Sequence, residues 1–60
     1  MDLNIGECIR YNFLYSNEEY KIGLITKIVK DYNFAYMIYL IDSNGDQDIV
    51  PFNILEYYKI

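Results

Sequence analysis

The sequence predicts an all-β fold: a small five-stranded barrel with a single helical turn before its last strand. Three observations carry this. Ile9, Tyr11 and Phe13 alternate with Arg10 and Asn12, the period-two pattern of a strand with one face inward. Asn44-Gly45 stands between two apolar runs, a strong hairpin signal because both central residues of a tight turn need φ > 0. Pro51 follows Ile49-Val50 and opens a short turn, Pro51 to Leu55. Proline cannot donate to a central ladder, so it ends an edge arm.

In chain order, residues 1–7 read as a lead-in, with Gly6-Glu7 turning into the first strand. Ser16-Asn17-Glu18-Glu19 is polar and reads as a loop. Tyr20 to Lys30 is rich in Ile, Leu, Val and Thr, which suit a pleated surface. Gly23 inside this run predicts a bulge, a bend or a close backbone approach. Asp31-Tyr32-Asn33 reads as a turn. Phe34 to Ile41 follows, with Tyr36, Ile38 and Leu40 on one face and Ala35, Met37, Tyr39 and Ile41 on the other. Both faces are apolar, so this strand is either central or meets something outside the fold. The hairpin then leads into Gln47 to Val50, the turn, and a closing strand Glu56 to Lys59.

Sixty residues make one domain, residues 1–60. A core of this size rarely supplies more than about 3–5 kcal/mol, so small domains add disulfides, a metal or a partner. Cys8 is the only cysteine and there is no histidine. This leaves no internal disulfide and no zinc set, and no cofactor or metal is expected. Dense aromatic packing or a partner remains, and the chain has 8 Tyr and 3 Phe. The net charge of −4 disfavours general nucleic-acid binding, which rests on Lys and Arg, and suits a basic protein partner. No apolar run is long enough for a membrane span. The N-terminus lacks the pattern of a signal peptide. With a lone thiol, these features lead to the expectation of a cytoplasmic protein. Heavy use of Ile, Asn, Lys and Tyr hints at AT-rich codons, and so at a low-GC bacterium or its mobile elements.

The order of elements resembles the Src-homology-3 (SH3)-like barrel. The residues that carry this are Gly6-Glu7-Cys8-Ile9-Arg10 opening the first strand, Gly23-Leu24-Ile25 in the second, and Asn53-Ile54-Leu55 before the last. Val50-Pro51-Phe52-Asn53 resembles the Pro-containing turn of SH3, Tudor and related barrels. Spacing also resembles that of type II dihydrofolate reductases, SH3-like tetramers, through Gly6 to Arg10 and Leu55-Glu56. That family's Gln-Ile-Tyr motif falls on Asp48-Ile49-Val50 here, so the resemblance extends to the fold and not to the activity. Fold alone does not carry function.

Candidate chemistry is sparse. Asp42, Asn44, Asp46 and Asp48 sit at alternate positions as in a calcium loop, but Gly45 stands at position 4 rather than 6, and position 12 is Asn53. Glu18-Glu19 lies in a polar loop, without the cleft that acid–base work needs. Cys8 has no histidine to activate it. The chain is expected not to be an enzyme.

The tyrosines are the more informative group. Tyr15 and Tyr20 flank the acidic loop, Tyr39 shares a face with Met37 and Ile41, and Phe52 sits in the Pro turn. Resemblance to SH3 implies Pro-rich peptide binding, and resemblance to Tudor domains implies an aromatic cage for a methylated cation. Glu18, Glu19 and Asp42 would suit a basic ligand in either case. The expected partner site is therefore Tyr15, Glu18, Glu19, Tyr20, Met37, Tyr39, Ile41, Asp42 and Phe52. The expected function is a small acidic binding module that docks on a basic protein or on its own copies. An inhibitor or adaptor from a phage or other mobile element, for example in anti-defence, fits that description. Tudor-like recognition of a methylated ligand or of nucleic acid is the alternative; stacking of single-stranded nucleic acid on exposed rings, with Arg10, Lys21, Lys27 and Lys30 as the available cations, ranks below protein binding because 9 acids oppose 5 bases.

Overall fold

A computed structural model describes residues 1–60. Five antiparallel strands form one sheet: β1 (Cys8–Phe13), β2 (Lys21–Lys30), β3 (Tyr36–Asp42), β4 (Gln47–Pro51) and β5 (Leu55–Lys59). A 3-10 turn, Phe52–Ile54, separates the last two. The spatial order is β4-β3-β2-β1-β5, and no ladder joins the edge strands β4 and β5. The sheet is therefore open by its hydrogen bonds. It curls nonetheless: Val50 of β4 and Leu55 of β5 share one core with Ile9, Tyr11, Ile25, Ile38 and Leu40. Six side chains are fully buried, and burying each Ile, Leu or Val is worth about 1.5–3 kcal/mol.

Leu3, in the lead-in to the first strand, is buried in this core. Two backbone bonds hold the lead-in there: Gly6 N donates to Ile25 O at 2.8 Å, and Ile25 N donates to Glu7 O at 2.9 Å. Met1, Leu3 and Ile5 alternate with polar residues or glycine, yet only Leu3 is buried, so three positions of alternation do not say which one enters the core.

The irregularity in β2 lies at Thr26, not at Gly23. Pairing with β3 runs Ile25↔Leu40 and then Lys27↔Tyr39, leaving Thr26 unpaired. The extra residue moves Lys27 outward and turns Ile28 toward the core. Gly23 answers to close approach instead. A Cβ there would lie 2.6 Å from Cε1 of the buried Tyr11 ring and 3.3 Å from the Ile41 carbonyl, so only glycine admits that ring.

The β3–β4 turn also departs from expectation. Gly45 is at φ +84°, while Asn44 keeps negative φ, so this is not a two-residue turn with both φ positive. Asp42 explains the difference. Its Oδ1 accepts the N–H of Asn44 at 2.9 Å and of Asp46 at 3.0 Å, which favours a three-residue loop with one left-handed residue. The β2–β3 loop has the same construction. Asp31 Oδ1 accepts the N–H of Asn33 at 2.8 Å and of Ala35 at 3.0 Å. Its left-handed residue is Phe34, at φ +64°.

Candidate functional site

Alternation divides the sheet into a core face and an outer face. The outer face takes Cys8 and Arg10 from β1, Ile22 and Leu24 from β2, Met37, Tyr39 and Ile41 from β3, Ile49 from β4, and Tyr58 from β5. Cross-strand pairs set these in rows: Cys8–Leu24–Ile41, Tyr58–Arg10–Ile22 and Lys27–Tyr39–Ile49. Ile22, Leu24, Ile41 and Ile49 are each between 41% and 47% exposed. An antiparallel sheet with a wet face should be polar there, so this face is an apolar patch open to solvent. A shallow depression of about 310 Å³ opens in it between Cys8, Ile22, Leu24 and Ile41.

The β1–β2 loop rises beside this face. Asn12, buried at the end of β1, donates from Nδ2 to the Glu18 carbonyl at 2.7 Å. That bond fixes the loop and leaves the Glu18 and Glu19 side chains exposed. Tyr20, next along, lays its ring against Tyr58, with centroids 5.6 Å apart and planes tilted by 42°. Its hydroxyl donates to Glu56 Oε1, which raises the Tyr20 pKa through the bond to the ionised carboxylate.

The predicted site residues thus fall into separate groups. Tyr20, Met37, Tyr39 and Ile41 share the outer face, while Glu18 and Glu19 are exposed in the β1–β2 loop that precedes Tyr20. Tyr15 is 92% exposed at a loop tip, with φ +67°. Phe52 lies elsewhere, in the 3-10 turn against Tyr57, at 6.2 Å between centroids. Asp42 is buried, and its carboxylate is committed to the hairpin, so it offers no free acid to a ligand. Leu24, Ile22, Ile49 and Tyr58 belong to the outer face but were not singled out. Their signal was Ile22 and Leu24 in one parity, with Leu24 across from Ile41 and Ile22 across from Arg10, which becomes visible only once register is known.

A polar network sits inside the curl. The Tyr11 hydroxyl donates to Asp48 Oδ2 at 2.6 Å, and Lys21 Nζ reaches the same oxygen at 3.1 Å and Asp42 at 3.9 Å. Burial, then the bond to Asp48, pushes the Tyr11 pKa up. The Tyr11 hydroxyl, and to a lesser degree Lys21, holds the Asp48 carboxyl below its ordinary value. Every polar atom of the network is satisfied, and the bond joins β1 to β4 across two intervening strands. Its evident work is to hold the curl.

No helix is long and apolar enough to cross a membrane. A scan of protein-family models, a search of the curated proteins and a search of the solved structures each found no match.

Proposed function

We propose that this chain is a non-enzymatic binding module with an SH3-like small-barrel fold, which docks on a basic protein through its outer sheet face. The observation that carries the reading is the half-exposed row of Leu24 and Ile41, extended by Ile22, Ile49 and the tyrosines 20, 39 and 58. Apolar anchors at the centre with a charged rim are how protein interfaces are built. Glu18 and Glu19 are exposed in the loop leading to Tyr20, where they would meet cations of a partner and speed encounter. Arg10 and Lys27 lie on the same face without a carboxylate partner, so the partner's cations must fall opposite the acidic loop and away from these two residues. The barrel reading is supported by the core shared between β4, β1 and β5 and by the 3-10 turn that leads into β5. A role as an inhibitor or adaptor carried by a phage or mobile element rests on size, charge and residue usage alone.

The test is retention of a basic protein by the immobilised chain, with elution rising steeply between 50 and 300 mM salt, roughly as charge-steered complexes behave. Leu24→Lys with Ile41→Lys should abolish retention while far-UV circular dichroism stays unchanged. Glu18→Lys with Glu19→Lys should weaken it and flatten its salt dependence. A monomer that retains nothing overturns the reading.

A second reading draws on the Tyr20–Tyr58 ring pair beside Glu56. Two tilted rings with a carboxylate suit a methylated cation in the manner of a Tudor cage. Titration with a trimethyl-lysine peptide decides it: shifts confined to Tyr20, Glu56 and Tyr58 support it, and none at millimolar peptide removes it.

A further inference from the structure

The β2–β3 and β3–β4 loops are built alike. Asp31-Tyr32-Asn33-Phe34-Ala35 and Asp42-Ser43-Asn44-Gly45-Asp46 each open on an Asp that caps two backbone N–H groups. In each, the first N–H meets the fifth carbonyl at 2.9 Å. The fourth residue is left-handed in both, at φ +84° for Gly45 and +64° for Phe34. Glycine takes that conformation freely, whereas a bulky L-residue is strained in it. The ring that incurs the strain is 75% exposed, so core packing does not account for it.

Phe34 instead walls a cavity of about 340 Å³, lined by Asn33, Phe34, Ala35, Tyr36, Phe52 and Asn53. That volume is in the range of small-molecule sites, about 300–1,000 Å³. Three of its walls are aromatic rings. The Asn33 and Asn53 carboxamides make no hydrogen bond within the chain, whose side-chain bonds lie elsewhere. Each therefore offers a donor and an acceptor to the cavity. Lys30 Nζ stands at the cavity's edge, 4.9 Å from the Phe34 centroid and 5.6 Å from that of Tyr36. Lys30 has no salt bridge, and neither has nearby Lys27. The neighbouring carboxylate, Asp31, is committed to its loop. Lys30 therefore has its ammonium free to meet an anion at the cavity's edge.

We propose that this cavity binds a nucleotide unit. The base would stack among Phe34, Tyr36 and Phe52, its donor–acceptor edge would meet Asn33 and Asn53, and its phosphate would meet Lys30. Stacking on an aromatic side chain tolerates any base, and carboxamides supply the paired donor and acceptor that a base edge requires. None of the lining residues belongs to the outer sheet face, so this site stands or falls independently of protein docking.

The test is a ¹⁵N chemical-shift titration of the full chain with adenosine monophosphate, uridine monophosphate, adenosine, inorganic phosphate and a tetra-adenylate strand. A mononucleotide should shift residues 30–36 and 52–53 and leave Leu24 and Ile41 unmoved. Lys30→Gln should reduce mononucleotide affinity several-fold and leave adenosine unaffected. Phe34→Gly should raise the melting temperature by removing the left-handed strain while weakening binding about tenfold, the loss expected for one stacked ring. Tighter binding of the tetra-adenylate assigns the unit to a single strand, and equal binding assigns it to a free nucleotide. The proposal is overturned if none of these ligands shifts the cavity at 5 mM, if phosphate alone reproduces the shifts, or if Phe34→Gly stabilises the fold without any loss of binding.

Discussion

Tyr11→Phe isolates the bond that holds the curl. The ring is fully buried and its hydroxyl donates to Asp48 at 2.6 Å. Phenylalanine keeps the ring and removes one hydrogen bond to an ionised acceptor, an interaction worth about 1.5–3 kcal/mol. For a domain of this length each kcal/mol moves the melting temperature by about 4–8 °C. A loss of about 2 kcal/mol therefore lowers it by about 8–16 °C, a large share of the roughly 3–5 kcal/mol such a core provides. The pH dependence discriminates further. Asp48 is depressed in the folded state, so its contribution is present above the unfolded carboxyl value and is lost as pH falls through the folded one. Tyr11 is raised, so its contribution is present below the unfolded phenol value, about 10, and is lost as pH rises beyond it. The stability gap between wild type and Tyr11→Phe is thus widest from about pH 5 to 9 and narrows below about 4 and above about 10. Urea denaturation at a series of pH values measures it. A gap under about 0.5 kcal/mol at pH 7, or one that is flat across the series, refutes the assignment, because a merely cavity-like loss carries no proton linkage.

Other substitutions test neighbouring claims. Gly23→Ala places a Cβ 2.6 Å from the Tyr11 ring and should cost about 1–3 kcal/mol by overpacking, read from thermal melts. Asp42→Ala removes the acceptor for two loop N–H groups and should cost about 1 kcal/mol, while Asp42→Asn, which keeps an Oδ1, should cost less than half as much in the same melts. Phe34→Gly should gain about 1 kcal/mol by relieving the left-handed strain. Cys8 is exposed on the outer face, so a maleimide should label it fully in the native state, and a docked partner should slow that labelling at least several-fold.

The sequence marks the strands, the hairpin and the Pro turn because each rests on local chemistry: period-two alternation, Asn-Gly, and a missing N–H. It also marks Gly23 as special, though not for which reason. What it conceals depends on residues far apart in the chain. Leu3 is core only because Gly6 and Glu7 bond across to Ile25. Asp48 looks like one more acid in a polar turn until the curl brings Tyr11 to it. Tyr20 reads as a flank of the acidic loop until register places it on Tyr58.

Two features were written locally and still go unread by periodicity. The first is the β2 bulge: Ile25 and Ile28 both turn inward, and an odd spacing between inward residues cannot occur in a regular strand, so one residue between them has to be extra. The second is the Asp-x-Asn that opens both loops. At Asp42-Ser43-Asn44 it is followed by glycine, which hides any meaning in the conformation it imposes. At Asp31-Tyr32-Asn33 it is followed by Phe34, in the same left-handed geometry. Two copies of one loop in one chain form an internal control: the backbone requirement is shared, so the difference between Gly45 and Phe34 concerns the side chain. A loop that needs only to turn is served by glycine. A loop that keeps an exposed phenylalanine against its conformational preference is holding that ring in place, where it lines a cavity with Tyr36 and Phe52 under the Lys30 ammonium rather than the core.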